Sequence, residues 1–143
     1  MNINETLKHY FGYDSLRPGQ QELIEGILQR KDVLGIMPTG AGKSLCYQVP
    51  ALMLDGITIV VSPLISLMTD QVKALNQAGV HAAYINSSLT ENQIRTALFY
   101  AAQGRYKIIY VAPERLNTIR FLEFACQVDI SMVTVDEAHS ISQ

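Results

Sequence analysis

The chain has 143 residues, 48% hydrophobic and 17% charged, a balance that excludes a disordered tail and fits one folded core. Its formal charge of −2 excludes a broad basic surface as the means of holding nucleic acid. No apolar run approaches the ~20 residues needed to span a bilayer, and the polar, mixed-charge start from Met1 to Phe11 is not a secretion signal, so a cytoplasmic setting is expected.

Short β-branched runs alternate with longer amphipathic stretches. Asn4 to Tyr10 and Gln20 to Arg30 read as opening helices, the second with Leu23, Ile24, Ile27 and Leu28 on one face. Asp32 to Met37 reads as a strand and Lys43 to Leu54 as a helix that Pro50 would bend. Ile57 to Ser62 is a near-continuous apolar strand, the kind buried on both faces. Leu64 to Ala78 is a long helix ending at Gly79, a residue suited to the position after a helix. His81 to Asn86 is a strand. Thr90 to Gln103 is a helix with Thr90 as its cap and Gln93 placed for a capping box, and Gly104 closes it. Lys107 to Val111 is a strand, Asn117 to Cys126 a helix and Met132 to Asp136 a last strand. Strand alternating with helix predicts an α/β domain with a mostly parallel sheet and helices on both faces. Cys46 and Cys126 lie far apart in apolar surroundings without CxxC spacing, so two buried free thiols are expected.

Met37-Pro-Thr-Gly-Ala-Gly-Lys-Ser44 follows a predicted strand and opens a predicted helix, the context a Walker A phosphate loop requires. Gly40 and Gly42 let the backbone turn so that amides from Thr39 to Gly42, Ala41 included, face phosphate oxygens, and the helix N-terminus adds partial positive charge. Lys43 would reach the β- and γ-phosphates of ATP, and the Ser44 hydroxyl would ligate Mg²⁺. Met37 stands where the strict pattern has glycine. The plain alternative is a glycine-rich turn with Lys43 merely solvated. Met132-Val-Thr-Val-Asp-Glu-Ala-His139 ends a strand with two carboxylates. Beside a phosphate loop this reads as a Walker B element, Asp136 orienting Mg²⁺ and Glu137 polarising the attacking water. His139 has no metal-ligand partner in the pattern, and His9 and His81 read as ordinary surface or helix residues.

Asp136-Glu-Ala-His139 with Thr39-Gly-Ala-Gly-Lys-Ser44 resembles a superfamily 2 helicase. Phe11-Gly-Tyr-Asp-Ser-Leu-Arg-Pro-Gly-Gln20, Ser62-Pro-Leu-Ile-Ser-Leu-Met68 with Asp70 and Gln71, Ala112-Pro-Glu-Arg-Leu116 and Cys46-Tyr-Gln narrow the resemblance to the RecQ-type DNA helicases, over nearly the whole chain from about Phe11 to Gln143. The resemblance implies that residues 1–143 are the first RecA-like P-loop domain, C-terminally incomplete, with N-terminal helices over residues 1–30. It implies that Tyr13 stacks on adenine while Arg17 and Gln20 hold it or its neighbours; from the residues alone, Leu16-Arg-Pro-Gly-Gln20 is equally a turn before a helix. It further implies single-stranded or forked DNA along the sheet's outer face. Ser62, Ser66 and Arg115 are candidate phosphate contacts, with Asn86 and Ser87 as weaker ones. Hydroxyls and amides position a phosphate strand without large net charge; the alternative leaves Ser62 ending a strand and Arg115 solvated.

In the intact enzyme the resemblance implies ATP-driven, 3′-to-5′ unwinding. A motor of this kind also needs a third motif, a second domain and an arginine finger, none present here, so the chain is expected to keep nucleotide-site parts without unwinding DNA. The missing central strand is expected to leave apolar faces and unpaired edges that favour aggregation or dimer pairing. A superfamily 2 RNA helicase and a non-catalytic nucleotide-binding fragment stand as alternatives.

Overall fold

A computed structural model describes residues 2–16, 19–29 and 44–135. They fall in two compact units, Met1–Asp55 and Gly56–Gln143. The predicted strand Asp32–Met37 and the Leu23 side chain lie outside the described residues.

In the first unit, α1 (Ile3–Thr6) opens with a capping box in which Asn2 and Glu5 each accept from the other's backbone amide. The chain then widens into a π-helical turn, Leu7–Phe11, where a continuous α-helix was expected. Such turns insert one extra residue per turn and are common beside functional loops. α2 (Gln20–Leu28) and α3 (Leu45–Met53) follow. α3 runs on through Pro50, and Leu54 donates to the Pro50 carbonyl at 2.9 Å, so the proline does not end the helix. Leu45 through Ala51 are all buried, which is how α3 keeps its turns despite the lost backbone donor. Leu7, Ile24, Leu45 and Val49 form this unit's core, with Ile3, Phe11, Leu16, Leu28 and Met53 packed around it.

The second unit is a four-stranded parallel sheet of β1 (Ile57–Val61), β2 (Ala82–Ile85), β3 (Ile108–Val111) and β4 (Ile130–Val135), in the order β2-β3-β1-β4. The expected mostly parallel α/β arrangement is present. Parallel neighbours require crossovers, and α4 (Ile65–Gln77), α5 (Glu91–Ala102) and α6 (Ile119–Gln127) supply them. One sheet face carries Ile57, Ile59, Val61, Ile85, Ile109 and Val111 against Ile94, Leu98 and Ala101 of α5 and Phe121 and Phe124 of α6. α4 buries Met68, Val72 and Leu75, a four-then-three spacing on one helical face, and packs against β2. β1 and β3 are buried along their whole length, but Val133 and Val135 of β4 are exposed. Among the described residues β4 pairs on one side only, with β1.

The helix ends follow the sequence closely. Gly79 adopts φ 91°, its amide donates to the Asn76 carbonyl and the Val80 amide to that of Leu75, the paired bonds of a Schellman motif. Thr90 and Gln93 form the expected capping box at α5. α6 departs from expectation: a 3₁₀ turn, Pro113–Arg115, comes first, and the helix starts at Ile119 because the Thr118 hydroxyl caps it. A second correction concerns Cys126, which is exposed, while Cys46 is buried. Cys126 falls on the side of α6 opposite Phe121 and Phe124, so apolar neighbours in sequence did not mean burial.

Candidate functional site

The residues expected to serve a nucleotide lie in the first unit where they are described at all. Arg17, Thr39, Gly40, Ala41, Gly42 and Lys43, together with Asp136 and Glu137 at the far end of the chain, lie outside the described residues. Tyr13 is 49% exposed on the short loop between the π-helical turn and α2, an open aromatic face of the kind that stacks on a base. Its loop is tied back on itself: the Gly12 amide donates to the Lys8 carbonyl at 3.1 Å, and the Lys8 ammonium donates to Asp14 at 2.9 Å. That hydrogen bond, with the ammonium charge behind it, holds the exposed Asp14 carboxyl below the usual carboxylate range. Gln20 begins α2 and is buried to 1% exposure. Ser44 stands at the N-cap of α3, its carbonyl accepting from the Tyr47 and Gln48 amides, so the helix N-terminus opens directly after the glycine-rich segment. A helix that begins immediately behind such a segment fits a phosphate ligand, because its first amides and its dipole both favour an anion there.

The residues expected to serve a nucleic-acid strand lie in the second unit, at the carboxyl ends of the parallel strands. The Ser62 amide donates to the Val111 carbonyl at 3.1 Å, and the Ala112 amide to that of Ile85 at 3.0 Å. The ends of β1, β3 and β2 are thereby laced into one rim, from which the segments after Ser62, Ala112 and Asn86 leave. In open α/β sheets, ligands bind at these carboxyl ends.

The rim residues differ sharply in access. Ser66, in the first turn of α4, and Ser87 are exposed. Ser62 is fully buried, with its hydroxyl 3.4 Å from the Leu64 amide, so it shapes the entry to α4. Asn86 is fully buried too: its side-chain oxygen accepts from the Ser88 amide and hydroxyl, and its amide group lies 3.4 Å from the Met68 sulfur. It forms the turn that presents Ser87. The Arg115 side chain is 23% exposed and directed at Glu91, whose carboxylate lies 3.4 Å from it and 3.8 Å from Arg120. The Thr118 hydroxyl donates to the Arg115 carbonyl at 2.8 Å, tying the arginine's backbone to the start of α6. Glu91 and Arg120 were not singled out from the sequence. Neither belongs to a motif, and only the packing of α5 on α6 brings Glu91 to Arg115, 24 positions away, and to Arg120 beyond it.

Comparison with known proteins bears on the chain as a whole. The family description "DEAD/DEAH box helicase" matches residues 17–143. The chain is 52% identical over 138 residues to ATP-dependent DNA helicase RecQ of Bacillus subtilis, covering 96% of this chain and 23% of that protein. It is 47% identical over 138 residues to RecQ of Haemophilus influenzae, covering 96% and 22%, and 43% identical over 143 residues to ATP-dependent DNA helicase Q-like 5 of Arabidopsis thaliana, covering 99% and 16%. The chain thus spans less than a quarter of the length of these relatives. In fold it is similar to the DUF1998 helicase MrfA, whose crystal structure holds DNA and AMPPNP, with a TM-score of 0.75 at 18% identity over 96% of this chain and 21% of that one.

Proposed function

Because the chain belongs to the DEAD/DEAH box helicase family, we propose that it is the ATP-binding part of a RecQ-type DNA helicase, working on single-stranded or forked DNA in the cytoplasm and, in a bacterium, at the nucleoid. The observation that carries this reading is the high identity to RecQ proteins across a segment that includes the phosphate loop, the acidic pair and the rim residues in one order.

ATP with Mg²⁺ supplies the phosphoryl chemistry. This chain's residues would bind and position it. Lys43 and the Thr39-to-Gly42 backbone would hold the phosphates at the start of α3, with Ser44 and Asp136 on the metal side. Glu137 would take the proton from the attacking water. Tyr13 would cover the base, with Arg17 and Gln20 fixing its edge. On the second unit, Ser66, Ser87 and Arg115 would touch the phosphates of the strand, while buried Ser62 and Asn86 would hold the rim in shape. Unwinding belongs to the longer protein, which would couple hydrolysis to 3′-to-5′ movement.

The test is a titration of the chain with a fluorescent ATP analogue and Mg²⁺, beside Lys43→Ala. The expected result is binding that the substitution weakens at least about tenfold, or roughly 1.4 kcal/mol. Equal binding by both proteins would remove the phosphate loop from the account.

A further inference from the structure

Arg115 closes the 3₁₀ turn after β3, Arg120 lies in the first turn of α6, and Glu91 lies in the first turn of α5. The Glu91 carboxylate faces both guanidinium groups, one oxygen 3.4 Å from Arg115 and the other 3.8 Å from Arg120. Within this cluster two cations share one anion, so neither guanidinium has the carboxylate to itself. The N-termini of α5 and α6, each capped by a threonine, add partial positive charge at the same place. Both contacts are longer than the 2.7–2.9 Å of a tight charge-assisted hydrogen bond. The three side chains are 23%, 40% and 65% exposed for Arg115, Arg120 and Glu91. A pairing this loose and this wet is held weakly and is easily exchanged for another anion. Guanidinium groups present several donors in a plane, matched to two oxygens of a phosphodiester as well as to a carboxylate.

We propose that Arg115 and Arg120 together form a backbone-phosphate site for the nucleic-acid strand, which the Glu91 carboxylate occupies until the strand displaces it. The proposal rests on the reading of the rim as a nucleic-acid track. It adds Arg120 as a second contact and makes Glu91 a built-in competitor that weakens binding. An arginine that must first give up Glu91 gains less from a phosphate, and the freed carboxylate beside the strand offsets part of the phosphate neutralisation, so the exchange costs affinity and also flattens the salt dependence. Removing the carboxylate reverses both effects, because each phosphate contact then contributes its full share to the salt slope.

The test uses the whole chain and a fluorescein-labelled oligothymidine, followed by anisotropy across a series of salt concentrations. Glu91→Gln is expected to bind roughly three- to tenfold more tightly at low salt, with a slope of log K against log salt steeper by about 1. Glu91→Asp, which keeps the charge, should stay near wild type. Adding Arg120→Ala to Glu91→Gln should remove most of the gain, and thermal melts of each variant show whether the fold is kept. Unchanged or weaker binding by Glu91→Gln, with wild type still binding, overturns the site and leaves the track reading intact. A gain that survives Arg120→Ala also overturns it. No DNA binding by any of the proteins at the lowest salt overturns both.

Discussion

Gly56 runs so close to Asp129 that a Cβ built at position 56 would stand 2.5 Å from the Asp129 carbonyl oxygen. The same carbonyl accepts the Ile57 amide at 2.8 Å, so the contact locks the start of β1 to the entry of β4. Gly56 also adopts φ 90°, a conformation that side chains resist. Gly56→Ala must therefore both strain the backbone and push Asp129 away. The expected cost is about 2 kcal/mol or more, read as a lower midpoint in urea denaturation. A midpoint equal to wild type would mean that this junction yields without cost.

Thr58 is the second residue of β1, at 0% exposure and in register with Ile108 on one side and Met132 on the other. Among the described residues its hydroxyl has no hydrogen-bond partner. Valine has the same shape without the buried hydroxyl. Thr58→Val is expected to raise stability by about 1 kcal/mol, since the desolvation of an unmatched group is removed and the methyl groups fill the space. A lower urea midpoint would show that the hydroxyl has a partner in solution.

The two cysteines should separate cleanly in labelling. Burial pushes the Cys46 thiol up from its ordinary range, which lowers its thiolate fraction near neutral pH, whereas Cys126 is exposed. Limited iodoacetamide treatment of the native chain followed by peptide mass spectrometry should find Cys126 modified first. Cys46 should react appreciably only as pH rises above the usual thiol range or after denaturation. Equal rates at neutral pH would contradict the burial of Cys46.

Elements with local causes were legible in the sequence. Gly79 and Thr90 act through bonds to residues within five positions, and both sit where the sequence puts them. The β1 run of apolar residues announced burial on both faces, and the sheet supplies it. What failed was decided by partners far along the chain or by a helix's azimuth. Cys126 reads as apolar in context yet lies on the outer side of α6, and Thr118 displaced the expected helix start because its hydroxyl reaches the Phe121 amide. The site divides in the same way. Ser66, Ser87 and Arg115 came from motif resemblance, whereas Glu91 and Arg120 became visible only when α5 packed against α6.

Asn86 and Ser87 are neighbours with opposite fates, and substituting each in turn separates shape from contact. Asn86 is fully buried with its oxygen committed to Ser88, so Asn86→Ala leaves the Ser88 amide without its acceptor inside the turn. The expected cost is about 1–3 kcal/mol of stability, and weaker single-stranded DNA binding should accompany it, because the turn that presents Ser87 loosens. Ser87 is exposed, so Ser87→Ala should leave the melting curve within about 0.5 kcal/mol of wild type. If its hydroxyl meets a phosphate, binding should still weaken by roughly two- to fivefold, in line with one neutral hydrogen bond. The pair is measured by urea denaturation and by anisotropy on the same preparations. A Ser87→Ala protein that binds like wild type would remove the hydroxyl from the track. An Asn86→Ala protein as stable as wild type would show that the turn holds its shape through the backbone alone.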